Sequence, residues 1–178
     1  MKGKESSEPE FTFTSRLERS DNKLWISHFE VPSRIARKLI DGDDRRVVCT
    51  INQSETYQCA LLHHGEGTFV ISVNKALLKK LRCQHGDALE IILKKDRSEY
   101  GLPMPEELQE LFAIDKKASK LFHGLTKGKQ RTLLYIVNSA KSSDKRIERS
   151  LIITRHLDRN AGKIDYKKLN AELKNKPL

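Results

Sequence analysis

Apolar side chains recur at every second position through the first half of this chain and at every third or fourth position through the second half. The first period belongs to strands, whose side chains alternate between two faces, and the second to helices with one buried stripe. Phe11, Phe13 and Leu17 share one side of the first alternating segment, and Ser20-Asp21-Asn22 supplies a turn. Leu24 to Val31 reads as a second strand, stopped by Pro32. Arg45 to Ile51 and Thr56 to Leu62 read as a hairpin around Asn52-Gln53-Ser54-Glu55. In it Val47, Cys49 and Ile51 share a face, as do Tyr57, Cys59 and Leu61. Gly65 and Gly67 precede a strand over Thr68 to Val73, and Gly86-Asp87 precedes the last one, Ala88 to Leu93.

Within this half the pattern repeats. Val31 to Leu39 aligns without a gap on Val73 to Leu81, and further on Val47 falls on Leu89, Cys49 on Ile91 and Ile51 on Leu93. Each copy predicts a strand end, a short amphipathic helix, a tight turn and another strand. Ile35 with Leu39, and Leu77 with Leu81, lie four apart and so on one helix face. Pro32 suits a first helical turn and Asn74 an N-cap. Two such units bury their strand faces most economically against each other, about a pseudo-twofold axis.

The charged run Lys94 to Glu99, followed by Pro103 and Pro105, marks a boundary. Beyond it Pro105-Glu106-Glu107 starts a helix with Leu108, Leu111 and Phe112 as its stripe. Asp115 caps a second, which buries Ala118, Leu121 and Phe122 and stops at Gly124. Leu133, Ile136, Val137 and Ala140 define a third, Ser143 starts a fourth holding Ile147 and Leu151, and Asp165 starts a last one with Leu169 and Leu173. The expected architecture is α+β: a disordered lead over 1–9, a double-split β-barrel built from the internal repeat over 10–96, a linker over 97–104, and a small all-helical module over 105–178.

Charge sharpens this division. The formal net charge is +10, yet residues 1–93 carry 14 Lys+Arg against 13 Asp+Glu, whereas residues 94–178 carry 20 against 11. A segregated surplus of this kind attracts an anionic partner. No run approaches the ~20 apolar residues of a membrane span. Three cysteines, Cys49, Cys59 and Cys83, form no CxxC pair, which predicts a reducing, cytoplasmic setting rather than a disulfide scaffold.

With these pieces in place, the chain resembles the bacterial YdeI/OmpD-associated, bacteriocin-protection-like family, preceded by a small domain of unknown function. In the first half the resemblance rests on Trp25, Val31-Pro32, Val47 to Ile51, Tyr57 to Leu61, Gly65-x-Gly67 before Val70 to Val73, and Gly86-Asp87. In the second half it rests on Pro105 with Leu108, Phe122-His123-Gly124-Leu125, Gln130-Arg131, Ile136 to Lys141 and Arg146-Ile147. One departure is Ser143-Asp144-Lys145-Arg146, where members usually carry a Thr-Arg pair. The copy Val73 to Leu93 also looks like the swapped-hairpin unit of AbrB/MazE-type proteins, which implies the double-split barrel but, in a near-neutral duplicated half, not their DNA binding. The family has no settled biochemical activity.

Candidate chemistry is sparse. No GxSxG, P-loop, HExxH or GxGxxG motif is present. Asp43-Asp44 beside Arg45-Arg46 reads as a solvated ion-pair cluster. His63-His64 with Cys83-x-His85 lacks zinc-site spacing and reads as turn residues, so no metal or cofactor is expected. Cys49 and Cys59 read as buried thiols. Trp25, Tyr57 and Phe69 are candidates to line a small barrel cavity, against the plainer reading that they are core. The strongest signal is basic. On a helix from Asp144 onward, Lys145, Arg149, Ile152, His156 and Arg159 fall on one stripe, with Ile147, Leu151 and Thr154 opposite it, toward the core. Together with Lys129, Arg131, Lys141 and Arg146, that stripe is the expected contact for nucleic acid or another acidic partner. The expected function is non-enzymatic binding or stress and bacteriocin protection, by a protein with a slight preference for the monomer. The rivals are a nucleic-acid-associated protein and a small-molecule binder or enzyme using the barrel cavity.

Overall fold

The computed structural model describes residues 9–20 and 27–175, so Trp25 and most of the Ser20-Asp21-Asn22 turn lie outside the described residues. The chain divides into two units, Met1–Arg97 and Ser98–Leu178.

Alternation becomes strands through most of the first unit. In order these are β1 (Phe11–Arg16), β2 (Glu18–Arg19), β3 (Ser27–Val31), β4 (Arg46–Ile51), β5 (Glu55–Ala60), β6 (Leu62–His63), β7 (Phe69–Ser72) and β8 (Ala88–Lys95), with α1 (Ser33–Leu39) after β3 and α2 (Lys75–Leu81) after β7. The predicted hairpin is β4–β5, with Cys49 opposite Tyr57 and Val47 opposite Cys59. Its turn places Asn52 and Gln53 at positive φ, 50° and 52°. Asn52 is held there by β8, since its side-chain oxygen accepts the Glu90 N–H at 2.9 Å. Val47, Cys49 and Ile51 are fully buried.

The strands form two four-stranded antiparallel sheets, β1-β8-β4-β5 and β2-β3-β7-β6. A closed barrel, as expected from the sequence, is not formed among the described residues. The chain instead turns from one sheet to the other at two leucines. Leu17 separates β1 from β2 and Leu61 separates β5 from β6, and both are buried. Their backbone N–H groups leave the ladders and donate to the carbonyls of Asp87 and Arg45, each at 2.9 Å. β1 and β5 therefore remain edges of one sheet, and β2 and β6 edges of the other. One core receives Phe29, Val31 and Ile71 from one sheet, Val47, Ile51, Ile91 and Leu93 from the other, and Ile35, Leu39 and Leu77 from the helices.

The second unit holds α3 (Glu106–Ile114), α4 (Lys116–His123), α5 (Lys127–Asn138), α6 (Ser143–Arg159) and α7 (Tyr166–Lys174). Their starts follow capping chemistry. Asp115 accepts the Ala118 N–H, and Asp165 accepts the N–H groups of Lys167 and Lys168. Ser142, one residue before the expected start, caps α6. Tyr100, Leu102 and Met104, from the segment expected to be a linker, pack on this helical core. α6 is the central element and touches α3, α4, α5 and α7.

Candidate functional site

The predicted basic stripe depends on which way α6 faces. A helix with neighbours on several sides buries a wide arc instead of a single narrow stripe, and α6 buries Ser150, Ile152, Ile153, Thr154, His156 and Leu157. Ile147, expected in the core, is 45% exposed, and Leu151 is half-buried. Thr154 is buried as expected, with its hydroxyl donating to the Leu151 carbonyl at 3.1 Å. The stripe expected in solvent is thus turned largely into the bundle, and it does not form one open cationic face.

His156 shows this most clearly, being 1% exposed. The backbone N–H of Asp165 donates to its Nε2 at 3.1 Å. A backbone N–H can only donate, so Nε2 carries the lone pair and Nδ1 carries the proton. Nδ1 then donates to Glu172 Oε2 at 3.0 Å. His156 therefore clamps both the first and the last turn of α7 onto α6. Arg149 donates from one guanidinium nitrogen to the Ile136 carbonyl at 2.6 Å and to Ser139 Oγ at 2.8 Å. It is half-buried and closes the end of α5, whose last carbonyls lack helical partners. Arg146 pairs with Glu107 at 2.8 Å. The Glu107 backbone N–H, the Ser143 hydroxyl and Arg146 together hold the Glu107 carboxyl below its ordinary pKa. Lys145 is exposed and paired with Glu148.

The remaining predicted cations do face solvent. Lys129, Lys141 and Arg159 are exposed and Arg131 is half-buried. None of the four has a carboxylate partner among the described residues. The same holds for Lys116, Lys120, Arg155, Lys163, Lys167 and Lys174, all exposed and absent from the predicted set. Lys116 and Lys120 were legible, because they stand one turn apart on α4, opposite Ala118 and Phe122. On α6 the exposed cations Arg155 and Arg159 are interleaved with Asp144, Glu148 and Asp158, and Asp158 pairs with Lys117 of α4.

The Phe122-His123-Gly124-Leu125 segment ends α4, and its chemistry is structural. The Gln130 amide nitrogen, from α5, donates to the carbonyls of Phe122, His123 and Leu125 at 3.1–3.2 Å, and Gln130 is 1% exposed. The His123 carbonyl, in the last turn of α4, has no intrahelical donor, whereas the Phe122 carbonyl also accepts the Leu125 N–H at 3.1 Å. His123 Nδ1 donates to the Ser119 carbonyl at 2.8 Å, leaving Nε2 to accept from the Tyr100 hydroxyl at 2.8 Å. Burial, with Glu99 beside it, pushes the Tyr100 hydroxyl up to about 12. It stays protonated as a donor. Phe112 and Phe122 pack around this pair, their ring centroids 5.0 Å apart.

Comparison with known families fits these two units. Residues 13–93 match a domain of unknown function, DUF1905. Residues 102–160 match the family described as bacteriocin-protection, YdeI or OmpD-associated. Together the two matches support the YdeI/OmpD-associated family with an N-terminal domain of unknown function. No curated protein and no solved structure matches it.

The first unit, which matches DUF1905, carries the other candidate residues. Phe69 is 7% exposed and part of the core, and Tyr57 packs against the same core. Both rings pack with the fully buried side chains that fill the space between the sheets, such as Phe29, Ile51, Ile71 and Ile91. Burial and the neighbouring thiols of Cys49 and Cys59 push the Tyr57 hydroxyl far up. The Cys49 thiol beside it, and then burial, push the Cys59 thiol well up. Such a thiol is a poor nucleophile. All three cysteines are free. Asp44 pairs with the buried Lys95 at 3.0 Å. His64 packs edge-on against His28, and His85 Nε2 meets Ser27 Oγ at 2.8 Å. No group of three or more His, Cys, Asp or Glu among the described residues is placed to hold a metal ion. Among the described residues no helix is long and apolar enough to cross a membrane.

Proposed function

We propose that this protein is a non-enzymatic, cytoplasmic binding protein with a role in bacteriocin protection, in which the helical unit engages an acidic partner. The observation that carries this reading is the number of exposed cations on that unit left without a carboxylate partner. Lys116, Lys120, Lys129, Lys141, Arg155, Arg159, Lys163, Lys167 and Lys174 have no carboxylate partner among the described residues. Cations left unpaired are available to neutralise charge elsewhere, with an affinity that falls as salt rises. In this reading Tyr100, His123, Arg149 and His156 serve the fold, and the first unit is a scaffold. We also read that scaffold as a duplicated strand–helix–strand unit. In support, the repeat equates Phe29 with Ile71 and Thr50 with Ile92, and each couple is a cross-strand pair, on β3–β7 and β4–β8.

The test is genetic and biochemical. Deleting the gene should raise bacteriocin sensitivity, and a Lys116→Glu, Lys120→Glu, Arg155→Glu, Arg159→Glu chain should fail to restore protection while folding normally. Full restoration by that variant would remove the cation reading. Nucleic acid is the second reading, favoured by the same cations. A mobility shift at low salt that fades at moderate salt supports it, and no shift at either removes it.

A further inference from the structure

The first unit holds a cleft that neither the filled core nor the helical unit explains. It lies between α1 and the start of β1, has a volume of about 280 Å³, and is lined by Glu10, Phe11, Thr12, Arg34, Ile35 and Lys38. That size is at the small end of ligand pockets. Arg34 and Lys38 stand one turn apart on the same face of α1, which places both cations along one wall. α1, Ser-Arg-Ile-Ala-Arg-Lys-Leu, contains no acidic residue, and neither Arg34 nor Lys38 has a carboxylate partner among the described residues. The single acid in the lining, Glu10, is drawn off by Lys94 at 3.2 Å. The positive charge of the wall is therefore not cancelled within the cleft.

The rest of the lining differs from an ordinary solvated basic surface. Ile35 is buried and Phe11 half-buried, so the floor is apolar. The Phe11 ring is already in contact with a cation, the Lys38 ammonium at 5.6 Å from its centroid. Two cations above an apolar floor match a ligand with a charged end and a flat apolar body. A guanidinium recognises a carboxylate through paired N–H donors, and a ring body covers Ile35 beside the Phe11 ring.

We propose that this cleft binds a small organic anion with a planar apolar body, of which an aromatic monocarboxylate is the minimal form. The site lies in the first unit and is independent of the acidic partner assigned to the helical unit.

Benzoate is the probe, titrated into the full ¹⁵N-labelled chain with acetate and inorganic phosphate in parallel. The expected result is a saturable shift of the amides of Phe11, Thr12 and Arg34 to Lys38. Benzoate should bind at least tenfold more tightly than acetate or phosphate, and at least tenfold more weakly to R34Q/K38Q. Both side chains are exposed, so the fold should survive, and the single variant K38Q serves if the double variant melts early. Absence of a saturable shift at these amides overturns the proposal, as does undiminished binding by R34Q/K38Q or by K38Q. Equal binding of phosphate or acetate also overturns it, because a bare anion site needs no apolar floor.

Discussion

Replacing His156 tests whether the central helix α6 is held inward by its polar residues. In His156→Ala two hydrogen bonds disappear, one from Nδ1 to Glu172 and one from the Asp165 N–H to Nε2. Each buried bond contributes about 1 kcal/mol, and leaving a buried partner unsatisfied costs about 1 to 3 kcal/mol. Glu172 keeps 31% exposure and can turn to water, so most of the penalty falls on the Asp165 N–H and on the void left by the ring. The sum is a loss of roughly 2 to 4 kcal/mol. For a domain of this size that lowers Tm by roughly 10 to 25 °C. Amide exchange resolves the location, because α7 should lose protection before α3, α4 and α5. His156→Gln retains a side-chain acceptor for the Asp165 N–H and should recover part of the loss, whereas Glu172→Gln should cost less than His156→Ala. A His156→Ala chain within about 0.5 kcal/mol of the parent, the range of an ordinary surface change, would refute the clamp.

Three further outcomes follow from the packing. Gln130→Ala should cost about 1 to 3 kcal/mol by releasing the carbonyls that close α4, and Gln130→Leu, which fills the space without the donor, should not restore it in chemical denaturation. Leu17→Ala should cost about 2 to 5 kcal/mol, read from the urea midpoint of the first unit, because the strand pair β1–β2 bends at that buried side chain. Burial, and then the nearby His64 and His85, hold His28 below its ordinary pKa, against a partial opposing pull from Glu18 and Glu30. The unfolded chain therefore takes up the His28 proton first as pH falls. Stability should decline below about pH 6.5, and urea midpoints measured from pH 8 to pH 5 should show a smaller decline in His28→Gln.

The alternating half was legible where a strand has one buried and one open face. Val47, Cys49 and Ile51 read as one face because β4 pairs on both sides and covers only one surface. The caps were legible for a related reason. Asn74, Asp115 and Asp165 act on N–H groups two or three residues away, so their effect is local in sequence. Closure was not legible. Whether two four-stranded layers close into a barrel is decided at their edges, by where β1 and β5 stop pairing, and Leu17 and Leu61 look like any other alternating leucine until the chain is seen to bend at them.

The orientation of the cationic stripe was not legible for the opposite reason, since a charge pattern describes one helix while the fate of a cation is set by its neighbours. Lys145, Arg149, His156 and Arg159 are nearly one stripe by spacing, yet only Arg159 is both exposed and without a carboxylate partner among the described residues. Arg149 is drawn in because α5 ends beside it with unmatched carbonyls, and His156 because α7 begins beside it with an unmatched N–H. Helix ends generate such orphans wherever three helices meet, and a long side chain with several donors, or a ring with one donor and one acceptor, is suited to absorb them. A basic residue in the middle of a central helix is thus a weak predictor of a binding surface. Lys116 and Lys120 on α4 show the contrast, since both are exposed and neither has a carboxylate partner among the described residues.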